Sequence, residues 1–188
     1  LMTGERTALN LLQTLSGTAT LSKRYADAVQ GTSLKILDTR KTLPGLRNAQ
    51  KYAVKLGGCH NHRMGLYDGI LIKENHIRAM GSITSAVEAA RKLGQHVMIE
   101  VEVESLEELD EALSVGVQRI LVDEFTPAMR DEAVRRSRGR AEIEVSGNVQ
   151  MEDLPEIAKS GVDYVSIGSL TKHLRAVDLS MQVIIGAG

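Results

Sequence analysis

Three short clusters of cationic and polar residues stand out in the chain: Asp38-Thr39-Arg40-Lys41-Thr42, Asn61-His62-Arg63-Met64-Gly65 and Lys73-Glu74-Asn75-His76. Leu34, Ile36 and Leu37 precede the first, Gly69-Ile70-Leu71-Ile72 precede the last, and Arg47 follows the first closely. Cations gathered at the ends of buried strands are costly unless something anionic meets them. The simplest guest is a small molecule with several negative charges. Arg40 and Arg63 are the best candidates, because guanidinium pairs bidentately with carboxylate or phosphate. The competing reading is that Lys and Arg are ordinary solvated surface groups. His62 reads as a donor to a carboxylate or as a plain loop histidine. His60 and His62 make no metal pair, since no cysteine or third histidine lies at a suitable spacing. Cys59 has no evident base and reads as structural; His76 and His96 read as structural or surface groups.

Carboxylates form a second pattern. In Val97-Met98-Ile99-Glu100-Val101-Glu102-Val103-Glu104 the side chains alternate across a strand. Val97, Ile99, Val101 and Val103 predict a face packed under helices, with Met98, Glu100, Glu102 and Glu104 on the other. Strands of a parallel sheet are normally covered on both faces and apolar throughout. Carboxylates there require a polar cavity, a metal or opposing cations; an exposed edge strand is the alternative. Asp123 ends the next strand, and carboxylates on adjacent strands can hold Mg²⁺ directly or through its waters, or bond sugar hydroxyls. Ser146-Gly147-Asn148 and Gly168-Ser169 follow the last two strands, where small residues let a phosphate approach backbone N–H groups. Neither is a GxGxxG or Walker sequence, and glycines at strand ends are commonly plain turns.

The elements that must position these residues alternate. Glu5 to Val29 reads as a helix, with Gly17 as a break. Apolar runs at 34–38, 68–72, 97–103, 119–123, 141–145 and 163–168 read as strands, and amphipathic stretches at 47–57, 81–93, 105–115, 126–137 and 151–160 as helices. Gly94, Gly116, Gly139 and Gly161 sit where left-handed helix caps are wanted, and Ser105 with Glu108 makes a capping-box pattern. Such alternation predicts a parallel sheet. Every strand ends in polar chemistry, which favours a barrel over an open doubly wound sheet, whose ligand sits at one crevice. Six clear strands predict a small or incomplete, open parallel α/β barrel of six to seven strands. Residues 1–30 form its helical lead-in and 31–188 the barrel.

Composition sets bounds. The chain has 188 residues, 43% apolar and 25% charged, with a net charge of -1. No clustered basic face of a nucleic-acid binder is present, no apolar run reaches the roughly 18 residues of a membrane span, and no signal-peptide pattern opens the chain. A lone cysteine predicts a reducing, cytoplasmic setting. The start at Leu1, in the run-up to a helix, predicts a piece of a longer chain.

Together these motifs resemble the quinolinate phosphoribosyltransferase family. The resemblance rests on Glu5-Arg6-Thr7-x-Leu9-Asn10, Asp38-Thr39-Arg40-Lys41-Thr42-x-Pro44-Gly45-x-Arg47, Asn61-His62-Arg63-x-Gly65-Leu66 and Leu71-Ile72-Lys73-x-Asn75-His76. Glu100-Val101-Glu102-Val103, Ser146-Gly147-Asn148 and Gly168-x-Leu170-Thr171 extend it, so that it runs from Glu5 to about Leu179. It implies the family's open barrel without the α/β sandwich domain that precedes it. It also implies transfer of phosphoribosyl from phosphoribosyl pyrophosphate to quinolinate, with decarboxylation, in NAD biosynthesis. Arg40, His62, Arg63 and Lys73 would hold quinolinate, and Thr39 would help bind substrate. Arg6 would reach a neighbouring subunit's site in a homodimer or larger assembly. Lys41 would contact phosphoribosyl pyrophosphate; Glu102 and Asp123 would act on its ribose and Mg²⁺. Ser146, Gly147, Gly168 and Lys172, or His173, would cradle its phosphate. The rivals are a related barrel pyrophosphorylase on another base and an inactive binding or assembly fragment.

Overall fold

The structure is a computed structural model describing residues 2–93 and 97–182. Gly94 and His96 lie outside the described residues. A long helix, α1 (Met2–Ala28), leads into alternating strands and helices: β1 (Lys35–Leu37), α2 (Arg47–Leu56), β2 (Ile70–Ile72), α3 (Glu74–Met80), α4 (Ile83–Leu93), β3 (Ile99–Val103) and α5 (Leu106–Ser114). Then come β4 (Arg119–Asp123), α6 (Pro127–Ser137), β5 (Glu142–Ser146), a short 3-10 turn, α7 (Leu154–Ser160), β6 (Tyr164–Ser166) and α8 (Ser169–Lys172). Among the described residues no helix is long and apolar enough to cross a membrane.

All six strands are parallel, in the order β1-β6-β5-β4-β3-β2. The curved sheet does not close, because β1 and β2 do not pair. A single parallel bridge, Leu37 to His60, adds a rudimentary seventh element on the free side of β1. His60 N–H donates to Ile36 O (2.8 Å) and Asp38 N–H to His60 O (3.0 Å). The expected open barrel of six to seven strands is therefore observed.

Alternation along the strands divides the molecule. Val101, Val103, Ile120, Val122, Ile143, Val145 and Val165 face the helices and are buried with Leu109, Val87, Leu154 and Ile157. On the alternate positions stand Glu100, Glu102, Leu121, Glu144 and Ser166. The exposed-edge reading of β3 is wrong, since β2 and β4 pair with its two sides. The strand also starts at Ile99 rather than Val97. Helix ends follow the expected chemistry. Ser105 accepts from Glu108 N–H (3.2 Å), and Gly116, Gly139 and Gly161 adopt φ of 68°, 73° and 82°. The sequence pattern gave no sign of α3, whose start is fixed by His76 Nδ1 accepting from Lys73 N–H (3.0 Å).

Gly17 does not break α1, which runs through it. Its small size has another cause. A Cβ at this position would lie 2.3 Å from Arg175 O, where the C-terminal segment crosses the helix and Val177 N–H donates to Gln13 O (3.0 Å). Gly17→Ala should thus lower stability by about 1–3 kcal/mol through overpacking, although Ala in an unhindered helix gains about 1 kcal/mol. Urea unfolding decides between these; a higher midpoint for Gly17→Ala would refute the close crossing.

Candidate active site

Two adjoining cavities open at the C-terminal ends of the strands. One, of about 510 Å³, is lined by Thr39, Lys41, Lys73, Glu102, Asp123, Ser146, Gly147, Asn148, Gly168, Lys172 and His173, among others. The second, of about 290 Å³, is lined by Arg40, His62, Arg63, Leu71 and Glu144 and shares Thr39, Lys41, Lys73, Glu102, Ser146 and Ser166 with the first. Each strand ends here, as a barrel site requires. Of the residues to which the family resemblance gives a substrate or metal role, all lie on one wall or the other except Arg6. That residue is exposed near the start of α1 and lines neither cavity.

The smaller cavity is strongly cationic. Arg63 is half-buried, and its Nη1 donates to Gly69 O (2.9 Å). Burial, and after it the nearby Arg40 guanidinium, lower its pKa. Arg40 Nη1 is buried with no hydrogen-bond partner among the described residues. An orphaned guanidinium donor beside a second arginine is the condition that an anionic guest relieves. Lys73 is paired with Glu102, the two charges holding each other across β2 and β3.

Beneath the cations lies acid that the sequence reading did not assemble. Glu100 and Glu144 are fully buried, and His62 Nε2 stands 2.9 Å from Glu100 and 3.5 Å from Glu144. By spacing these three could hold a metal ion. His62 Nδ1, however, accepts the Arg63 N–H at 2.7 Å. That contact leaves Nε2 as the ring atom facing the two carboxylates, none of whose four oxygens has a hydrogen-bond partner among the described residues. His62 itself lines the smaller cavity beside Arg40 and Arg63. Arg119 Nη1 approaches Glu144 (3.8 Å), bonds Glu142 and lies over the Tyr164 ring. Burial, followed by the Glu100 charge, pushes the Glu144 carboxyl well above its ordinary range. The Glu142-x-Glu144 alternation, which matches Glu100-x-Glu102, was the available signal.

The larger cavity is made as much of backbone as of side chains. Asp123 pairs in register with Ser146. Glu124, Gly147 and Asn148 adopt φ of 53°, 95° and 36°. A Cβ at Gly147 would meet Glu124 Cγ at 3.1 Å and Asp123 Oδ1 at 3.3 Å. Glycine there suits the positive φ and lets the loops after β4 and β5 press together. Cys59 is buried, its thiol pushed up to about 12 by burial, in keeping with an inert structural role.

Comparison with known proteins places this geometry. The family model described as quinolinate phosphoribosyl transferase, C-terminal domain, matches residues 18–182. The chain is 44% identical over 186 residues to the probable carboxylating nicotinate-nucleotide pyrophosphorylase of Bacillus subtilis, covering 98% of this chain and 64% of that protein. It is 46% identical over 186 residues to the carboxylating nicotinate-nucleotide pyrophosphorylase of Mycobacterium leprae, covering 97% and 66%. The solved nicotinate-nucleotide pyrophosphorylase of Francisella tularensis superposes with a TM-score of 0.92 at 49% identity, over 95% of this chain and 64% of that one. The chain thus spans just under two thirds of the length of these relatives.

The buried acid carries a pH signature. Glu144 has a folded-state pKa above the ordinary 4.5, so the folded chain binds the extra proton. Its contribution to stability is present at low pH and lost as pH rises through the raised value. Glu144→Gln removes this titration. Its stability relative to the parent should increase with pH above about 5, read from urea midpoints across a pH series. Parallel curves for the two proteins would show that Glu144 does not titrate in this way.

Proposed function

The chain belongs to the quinolinate phosphoribosyltransferase family through that family's C-terminal domain, and from this premise we propose that it transfers phosphoribosyl to quinolinate with decarboxylation. The observation that carries the reading is one cationic cavity opening into a second that joins carboxylates to small-residue loops. Quinolinate is a small dianion and phosphoribosyl pyrophosphate a larger polyanion, and the two cavities suit them in turn. Arg40, His62, Arg63 and Lys73 grip the quinolinate carboxylates, with Thr39 on the adjoining wall. Ser146, Gly147, Gly168 and Lys172 receive the 5′-phosphate, and Lys41 faces the pyrophosphate.

Glu102 and Asp123 put hard oxygen donors on one wall, a set that fits Mg²⁺ carried by phosphoribosyl pyrophosphate. Bound there, the ion would help neutralise the departing pyrophosphate. Binding would compete with the Lys73–Glu102 pair, which frees Lys73 for a substrate carboxylate. As the anomeric C–O bond breaks, its electron pair leaves with pyrophosphate and positive charge grows on the ribose. Glu102 and Asp123 oppose that charge. The quinolinate nitrogen, held in line by the arginines, forms the new bond to the anomeric carbon. The resulting pyridinium accepts the electron pair of the C2–carboxylate bond, CO₂ leaves, and C2 takes up a proton. The products are nicotinate mononucleotide, CO₂ and pyrophosphate.

A homodimer or larger assembly completes the reading. Arg6 is exposed, and Leu11 and Leu12 on the same helix are exposed apolar side chains, which suits a face covered by a second copy. The lone buried thiol suits a reducing cytoplasm.

Titration calorimetry of this chain with quinolinate, using nicotinate as control, tests the substrate. Quinolinate should bind much more tightly; equal binding would reject the dicarboxylate reading. Arg63→Ala should weaken quinolinate by about 1.5–3 kcal/mol, the range for a hydrogen-bonded charged group. Glu102→Gln should instead depress kcat, since the charge it answers appears in the transition state. A fall in quinolinate affinity alone would assign Glu102 to binding.

A further inference from the structure

Lys51 is 1% exposed and Asp38 is fully buried, yet neither lines a cavity. Lys51 projects from α2 and pairs with Asp38 Oδ1, while its Nζ also donates to His62 O (2.8 Å). Asp38 Oδ1 accepts the His62 N–H (2.9 Å), and Asp38 Oδ2 accepts from Asn61 Nδ2 (2.6 Å). Asn61 Nδ2 also donates to Lys51 O (2.9 Å). Both polar groups of the His62 main chain are thereby held by one ion pair, the N–H by the acid and the carbonyl by the ammonium.

The position of this pair matters. Thr39, Arg40 and Lys41 follow Asp38 directly, and Arg63 follows His62. Among the described residues the only strand pairing between these two segments is the Leu37–His60 bridge. Arg47 adds a longer staple, its Nη2 to Arg40 O and its Nη1 to Met64 O, each at 3.3 Å. A buried ion pair is a poor source of net stability, since desolvation offsets its attraction. An apolar pair of equal size could fill the space but could not hold a peptide's N–H and carbonyl together.

We propose that Asp38 and Lys51 are positioning residues for the substrate clamp, fixing the Arg40 side relative to the His62–Arg63 side and so the grip on a dicarboxylate. The proposal rests on the quinolinate reading for its substrate, but the held segment can be measured without any ligand.

The test is the double variant Asp38→Asn with Lys51→Met, which removes both charges together and leaves no lone buried ion. Its unfolding midpoint should stay near that of the parent. Quinolinate should bind at least tenfold more weakly, while phosphoribosyl pyrophosphate with Mg²⁺ keeps its affinity within about twofold. Exchange of the His62 amide hydrogen should accelerate at least tenfold as its acceptor is weakened. Unchanged quinolinate binding and unchanged exchange in the folded variant would overturn the proposal, as would equal loss of both ligands. If the double variant does not fold, Asn61→Ala gives the same readouts with smaller, several-fold effects, and no change there would also overturn it. If the parent itself does not prefer quinolinate, the substrate reading fails, and His62 exchange alone then decides whether the pair holds the segment.

Discussion

The structure turns on how an unclosed sheet is held at its seam. Between β1 and β2 the ladder of backbone hydrogen bonds stops, and among the described residues one bridge at His60 is all the strand pairing that continues it. The Asp38–Lys51 pair lies beside this bridge, under the residues that carry the cationic clusters. Burial pushes the Asp38 acid upward and the Lys51 ammonium downward in pKa, each shift partly offset by the other partner. The cost is tolerated because the charges find directional partners in backbone and amide groups. A closed barrel would supply that rigidity through its ladder; here side chains supply it.

The same charge logic extends through the sheet interior. Positions that a packed barrel fills with branched apolar residues hold Glu100, Glu144, Arg119 and Glu142 instead. At the lower end Arg119 lies 3.9 Å from the Tyr164 ring centroid, with Lys35 at 5.6 Å. At the upper end Lys73 meets Glu102. Among these acids, the Glu100 charge opposes the burial and the Arg40 repulsion that lower the Arg63 pKa. Arg40, with a buried donor left over, is the point where the compensation stops short, and there an external anion gains most.

Much of this was readable in the residues. Strand ends rich in Arg, Lys, Glu, Asp, Ser and Gly pointed to one rim of a parallel sheet, because alternation and βα rhythm are local properties. Lys51 was invisible for the opposite reason. It reads as one more surface lysine of an amphipathic helix, and only the packing of α2 against the seam buries it with Gln50, Ala53 and Val54. Glu144 was hidden because its partners Glu100 and His62 come from distant segments. Gly17 misled because local rules allow a glycine to end a helix, whereas the true constraint is the carbonyl of Arg175, far along the chain. The α3 helix was missed because its seven residues carry no buried stripe. Local signals reveal elements, and long-range contacts decide which polar residues are buried.

The two cavities are built by different means, and this bears on how each tolerates change. The cationic one depends on long side chains whose aim is set from behind, by ion pairs and by the main chain of His62. The other depends on backbone shape. Glu124 and Asn148 hold positive φ without being glycine, a strained choice that persists only where surroundings enforce it. The enforcement is visible in the close approach of the β5 loop to Glu124 and Asp123 at Gly147. A phosphate needs N–H groups in a fixed arc, which strained backbone supplies and any side chain would obstruct. A planar dicarboxylate needs separated cations at a set distance, which a rigid seam supplies. Under the proposed function the open barrel serves both, its closed side giving the loops a firm base and its open side tuned by a single buried pair.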